Sequence, residues 1–358
     1  MKNTLLSFLT HWKWATLGVL SVLLNFGCKL SPELTEYVYS RGLFRIIRTI
    51  FDYSLGFLPF PAFYLFGFIL LIVGIRAIRY IAKKGIPFSI KCWNSVYHIL
   101  SFTGAIVFFF FLLWGYNYSR IPFDQQIGLR IESLDSTALQ SELEAAATDA
   151  IASRKVVDSL GATPQALMDD LPNMMKAYVK KELQQNNFHV GKGPSGRVLL
   201  PNGILMRFGS TGLYLPWVGE SNIDGAIHPL EKPFTMAHEI SHGYGWGDEG
   251  TCNFIAYLAC THSTQHSVQY SGYLAYYRYV ANNFKALHPK EYDSFRKTLP
   301  QTMRDDLDAI NQRQKEYPEW ISSTMWYDLY LKGNGMPEGL QNYSKVVRLV
   351  YSYRTRTI

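Results

Sequence analysis

The sequence predicts a mainly α-helical protein in two parts: transmembrane helices at the amino terminus, then a mostly helical soluble domain with a small β element. Three observations carry this. The long uncharged apolar runs nearly all fall before residue 120. The remaining two thirds mixes charged, polar and apolar residues as a soluble domain does. A stretch at 191–220 with seven glycines and three prolines interrupts the helical text with short β-favouring segments.

Residues 55–75 and 94–118 contain no Lys, Arg, Asp or Glu over 21 and 25 positions, each enough for a helix across a hydrocarbon core of about 30 Å. A first run, Trp14 to Cys28, has 15 uncharged residues and reaches span length if Leu5 to Leu9 extend it and Lys13 snorkels. Three spans are therefore expected within an anchor covering 1–118, followed by a soluble domain at 119–358. A cleaved signal peptide is the competing reading of the first run, but no small-x-small cleavage site is evident. Arg76, Arg79, Lys83, Lys84 and Lys91 lie between the second and third spans with no acid among them, which marks that loop as cytoplasmic and the soluble domain as extracytoplasmic. Arg41, Arg45 and Arg48 alternate with Leu43, Phe44, Ile46, Ile47, Ile50 and Phe51 in a basic amphipathic pattern suited to the headgroup layer.

The net charge of +7 and pI near 9.0 do not signal nucleic-acid binding, because many of the cations flank the apolar runs and no recognised binding motif accompanies them. Four scattered cysteines, Cys28, Cys92, Cys252 and Cys260, form neither a disulfide framework nor a thiolate metal site. Eight residues along one helix would hold Cys252 and Cys260 about 12 Å apart. Buried free thiols are expected.

In the soluble part, Thr137 and Gln140 resemble a capping box opening one helix, and a break at Gly161 and Pro164 separates it from another around 164–186. Strands are expected at Arg197 to Leu200, Ile204 to Phe208 and Gly212 to Leu215. Helical patterns resume after residue 250 and run to Tyr353.

The segment that carries chemistry is Thr235-Met236-Ala237-His238-Glu239-Ile240-Ser241-His242. Two histidines four apart on a helix bring both imidazoles to one cation, and Glu239 sits on the same broad side without being a ligand. This pattern arises by chance in roughly one such chain in a hundred. Two neutral imidazoles and one carboxylate suit zinc, with a fourth position open to water that Glu239 can deprotonate.

The third ligand comes from the returning chain. Gly243 to Gly250 must end the helix, turn and begin the next. Glu249 would project from the first turn of that helix; Asp248 satisfies the spacing HExxHxxGxxD. Either acid also suits a helix start with no metal present. Spacing alone leaves both acids open as the third ligand.

From Leu213 to Cys260, with Tyr214-Leu215-Pro216, Gly219-Glu220, Phe234 to Glu239 and then Glu249-x-x-x-Asn253-Phe254-Ile255-Ala256, the chain resembles a family of bacterial membrane proteins of unknown function. The likeness extends over most of the chain and is specific around the motif. It implies a gluzincin-like, zincin-fold peptidase in the inner membrane with His238, Glu239, His242, Glu249 and Asn253 in the motif, and so favours Glu249 over Asp248 as the third ligand, with Asn253 one turn further on as a residue that orients a ligand. In that family a second acid and an alanine usually precede the asparagine, where Thr251 and Cys252 stand here.

His262 and His266, four apart, lack a following glutamate and are read as ordinary surface or core histidines. Gly212 to Leu215 is the candidate edge strand for holding a peptide, with Tyr214 a candidate oxyanion donor. The expected activity is zinc-dependent hydrolysis of peptide bonds in a peptide or protein substrate, with Glu239 as general base and acid. The alternatives are a catalytically silent membrane scaffold with a structural metal site, and a zinc amidase acting on envelope components.

Overall fold

The computed structural model describes residues 12–83, 85–161, 170–320, 324–333 and 338–356. The chain divides into two compact units, Met1–Arg120 with Leu215–Gly219, and Ile121–Tyr214 with Glu220–Ile358.

The first unit is helical. Helix α1 (Lys13–Leu30) ends where Ser31-Pro32 removes a backbone donor, and a π-helical turn (Thr35–Leu43) leads into α2 (Phe44–Tyr53). Helices α3 (Ala62–Ala82) and α4 (Phe88–Leu113) follow. Both are long and apolar enough to cross a membrane. They are shifted from the uncharged runs for a physical reason. Pro59 and Pro61 prevent a helix from starting at Leu55, and α3 keeps Arg76 and Arg79 within its last turns. Beyond α4 the chain tightens into a 3-10 turn at Gly115–Ser119 instead of continuing.

The first apolar run forms α1, which among the described residues makes a candidate third span together with Pro32–Phe57, the two being bent by 110°. Its extension through Leu5 to Leu9 lies outside the described residues. α1 packs on α4 through Gly18 and Gly104: a β-carbon at Gly18 would stand 2.6 Å from the Gly104 Cα, so the close approach requires small residues. In α2, Ile46 and Ile50 are exposed while Arg48 is buried in an ion pair with Asp52 (2.8 Å). Arg48 thus serves the interior, not a basic outer face.

The second unit carries one large core. Helix α5 (Ser136–Ser159) is capped by Asp135, whose carboxylate accepts from the Ala138 N–H at 2.8 Å. The cap expected at Thr137 is therefore two residues earlier. Helix α6 (Leu171–Gln185) follows; Pro164 and the expected start of that helix lie outside the described residues. A three-stranded sheet comes next: β1 (Ser195–Leu199), β2 (Gly212–Leu215) and β3 (Glu220–Asp224), in the order β1-β3-β2. β1 and β3 are parallel, with Ser195 opposite Glu220 and Leu199 opposite Asp224. β2 and β3 are joined by four residues, too few for a parallel crossover, so they form a hairpin with β2 at the edge.

Ile204 to Phe208 is not a strand. The buried Asp224 carboxylate collects the N–H groups of Gly203, Leu205 and Ala226 at 2.7 Å and of Met206 at 3.1 Å, which curls that segment into turns. β3 itself, Glu-Ser-Asn-Ile-Asp, is wholly buried yet mostly polar, so it has no apolar alternation to announce it.

Among the described residues the α-helices that follow are α7 (Lys232–Gly243), α8 (Glu249–Thr261), α9 (His266–Leu287), α10 (Pro289–Thr298), α11 (Gln301–Lys315), α12 (Thr324–Gly333) and α13 (Lys345–Thr355). Every residue of α8 is buried, as befits a helix at the centre of a domain. It packs against α6, α7, α9 and α13.

Candidate metal centre

Pro233 in the first turn of α7 supplies a fixed φ where no N–H is needed. The helix ends at Gly243; beyond it the Gly245 N–H bonds the His242 carbonyl (2.9 Å) and Gly245 takes a φ of +87°. Such a left-handed residue is natural for glycine and stops the helix. The chain turns back, and Asp248 opens α8 by accepting from the Thr251 N–H at 2.7 Å. This cap fixes Glu249 in the first turn of a buried helix packed against α7.

The result brings His238, His242 and Glu249 together, all buried. Their ligand atoms form a nearly equilateral triangle. His238 Nε2 and His242 Nε2 are 3.1 Å apart, and Glu249 Oε2 lies 3.1 Å from the first and 3.3 Å from the second.

The outer nitrogens settle what the inner ones can do. His242 Nδ1 lies 2.7 Å from the Trp246 carbonyl, which can only accept, so that nitrogen donates. His238 Nδ1 lies 2.7 Å from Asn253 Oδ1, an oxygen that also accepts from the Tyr279 hydroxyl at 3.2 Å. With both protons outside, two Nε2 lone pairs and a carboxylate oxygen converge on one point.

Three acceptors so close repel one another unless positive charge lies among them. The electrostatics express this demand. Burial opposes a charge on His242, yet Cys252 and Glu249 outweigh it and raise its proton affinity well above the usual histidine range. Burial would raise the Glu249 carboxyl, but His242 and His238 hold it well below the usual carboxylate range.

A metal ion answers the same demand. Tetrahedral zinc with bonds of about 2.0–2.1 Å spaces its ligand atoms about 3.3–3.4 Å apart, so the 3.1–3.3 Å triangle fits within a few tenths of an ångström. This donor set could hold a metal.

Glu239 stands beside the triangle and outside it. The Tyr214 N–H of β2 donates to its carboxylate, and burial raises its pKa against the opposing pull of His238 and His242. Gly212 of β2 faces the same group: a β-carbon there would come within 2.7 Å of Glu239 Cγ. Ser221 of β3 donates to the Glu239 carbonyl at 2.8 Å, so the sheet grips this turn of α7 at side chain and backbone.

Asp248 is not in the triangle. Beyond capping α8, its carboxylate accepts from Asn342 Nδ2 (3.0 Å) and pairs with Lys345 Nζ (3.3 Å). Cys252 directs its thiol to the Trp246 carbonyl at 3.3 Å, on the outer side of His242. Burial pushes that thiol up to about 12. Cys252 and Cys260 are both buried and free.

His262 and His266 do not share a helix, because His262 ends α8 and His266 begins α9. His262 Nδ1 lies 3.2 Å from Glu182 Oε1, and His266 Nδ1 3.1 Å from Gln269 Oε1. Three contributors escaped the sequence reading: the Trp246 carbonyl, Ser221 and Tyr279. A backbone carbonyl, one serine in a polar strand and one of 24 tyrosines give no local signal.

A family model described as "Protein of unknown function (DUF3810)" matches residues 39–351. No curated protein and no solved structure matches the chain.

Proposed function

We propose that this chain, which belongs to the DUF3810 family, is a membrane-anchored, zinc-dependent metallopeptidase with a zincin-like domain of gluzincin type. The carrying observation is the buried triangle of His238, His242 and Glu249, with both histidines donating outward and their free lone pairs turned inward. His238 Nε2, His242 Nε2 and Glu249 Oε2 would hold the ion. When bound, zinc supplies a Lewis acid that polarises a carbonyl and lowers the pKa of water from about 15.7 towards about 7.

The protein's own groups do the rest. Glu239 is the general base and acid: its raised pKa lets it take a proton and return it to a leaving amine nearer neutrality than an ordinary carboxylate would. The Tyr214 N–H holds that carboxylate in place. β2, at the edge of the sheet beside Glu239, offers backbone groups to an extended peptide. Asn253 and Trp246 fix the two imidazoles, and Tyr279 fixes Asn253. The two apolar helices, with Arg76 and Arg79 in the last turns of α3 and Lys91 in the first turn of α4, support an inner-membrane anchor with the catalytic unit on the extracytoplasmic side.

The test uses the full chain in detergent, with metal content by elemental mass spectrometry and cleavage of a peptide library by mass spectrometry. Wild type and Glu239→Gln should both hold one equivalent of zinc, and only wild type should turn over peptides. Equal cleavage by both proteins, or a wild type that takes up no zinc, would defeat the proposal.

A further inference from the structure

The turn that joins β2 to β3 belongs to the membrane unit. Leu215–Gly219 group with Met1–Arg120, although Tyr214 and Glu220 on either side belong to the second unit. Trp217 stacks on Phe66 of α3, with ring centroids 5.4 Å apart and planes inclined by 15°, and lies 5.9 Å from the Phe110 ring of α4. Its Nε1 donates to the Ile106 carbonyl of α4 at 3.3 Å. Leu215 and Val218 share a small core with Ala62 at the start of α3. Gly219, at a φ of +63°, lets the chain pass the Phe51 ring of α2, from which a β-carbon would stand 2.6 Å away.

Phe66 lies four residues from the start of α3 and Ile106 seven from the end of α4, so Trp217 is seated about 6–10 Å below these helix ends. They are the ends opposite Arg76, Arg79 and Lys91, which the orientation proposed above puts outside. α2, against which Gly219 packs, exposes Ile46, Ile50 and Tyr53, side chains suited to the acyl boundary. Both legs of the turn are tied to the general base. Tyr214, one residue before it, donates its N–H to the Glu239 carboxylate, and Ser221, two residues after it, donates its hydroxyl to the Glu239 carbonyl at 2.8 Å. Three residues take the chain from Tyr214 to Trp217, at most about 11 Å when fully extended. Covalent continuity alone therefore keeps Glu239, and any bond it helps to cut, within a short reach of the outer membrane surface. A soluble protein gains nothing from that restraint. A polypeptide fixed in the bilayer always presents the first residues beyond its anchor at this height.

We infer that the substrate is a polypeptide anchored in the same bilayer, cut within the first few extracytoplasmic residues beyond its anchor. The inference rests on the peptidase reading for its cleavage, but selection by distance from the membrane can be measured without turnover.

The test uses the full chain in vesicles of phosphatidylcholine and phosphatidylglycerol. The probe is a randomised peptide segment placed about four or about twenty residues beyond a transmembrane helix, the longer form on a proline-rich spacer that holds it about 50 Å farther out. Both forms are anchored, so the membrane concentrates them alike and only height differs. Cleavage by wild type, mapped by mass spectrometry, should favour the near placement at least tenfold in kcat/KM. The second readout needs no turnover: benzoylphenylalanine in the segment should photo-cross-link to Glu239→Gln at least tenfold more from the near placement, with the cross-links on β2. Cleavage and cross-linking that are equal at the two heights, or stronger at the far one, overturn the inference. Glu239-dependent cleavage that ignores height sinks it and spares the peptidase reading; height-selective cross-linking with no Glu239-dependent cleavage does the reverse. Absence of both defeats the two together.

Discussion

His238 donates its Nδ1 proton to Asn253 Oδ1 at 2.7 Å, across fifteen residues and two helices. The bond sets the tautomer of the imidazole and turns Nε2 towards Glu249. Asn253 also takes the Tyr279 hydroxyl, so its own orientation is fixed from a third helix. Asn253→Ala should weaken zinc binding by about 10–100-fold, the usual effect of losing an outer partner of a metal-bound histidine, and Asn253→Asp, which keeps an acceptor, should restore most of it. Competition titration against a zinc chelator reads both. Unchanged affinity in Asn253→Ala would remove the asparagine from the metal site.

Glu249 and Asp248 are neighbours with opposite duties, and their variants should separate cleanly. Glu249→Gln should retain no zinc after gel filtration. Asp248→Ala should keep its zinc and lose stability, by about 1 kcal/mol for a lost helix cap. Elemental analysis beside a thermal melt distinguishes the two; zinc lost from Asp248→Ala with its melting temperature intact would reverse the assignment.

Gly212 leaves room for the Glu239 carboxylate against β2. Gly212→Ala should therefore displace that carboxylate and lower turnover at least tenfold, an effect in line with the sensitivity of reacting groups to shifts near 1 Å. Zinc content should stay at the wild-type value, because the ligand triangle lies beyond the collision. Wild-type kcat in this variant would argue that Glu239 is not held at the sheet edge.

Cys252 sits behind His242 with burial pushing its thiol up to about 12. Maleimide should leave Cys252 unmodified between pH 7 and 9 and modify it once the protein is unfolded. Peptide mapping after timed labelling reads this, and rapid modification of native Cys252 would contradict its placement.

The site was legible wherever chemistry follows a local rule. His238 and His242 lie one helical turn apart, and Glu249 opens the next helix after a glycine-rich turn, so spacing alone nominated them. Spacing left Glu249 and Asp248 open, the resemblance favoured Glu249, and the structure spends Asp248 as the cap of α8. Local spacing failed at Thr137, where Asp135 is the better cap, and at Ile204 to Phe208, where β propensity lost to the four N–H groups gathered by a distant Asp224.

By itself, then, the sequence pointed to two environments, a mainly helical chain, three apolar runs of which two form helices long enough to cross a bilayer, and a histidine pair that could share a cation. Those follow from composition and from the 3.6-residue period, which act over a few turns. Tertiary structure alone decided that α2 turns Arg48 inward, that β3 is a buried polar strand, and that Asn253, Trp246 and Tyr279 orient the imidazoles. Each of these depends on partners far apart in the chain, and no local pattern encodes which distant group will satisfy a buried donor or acceptor.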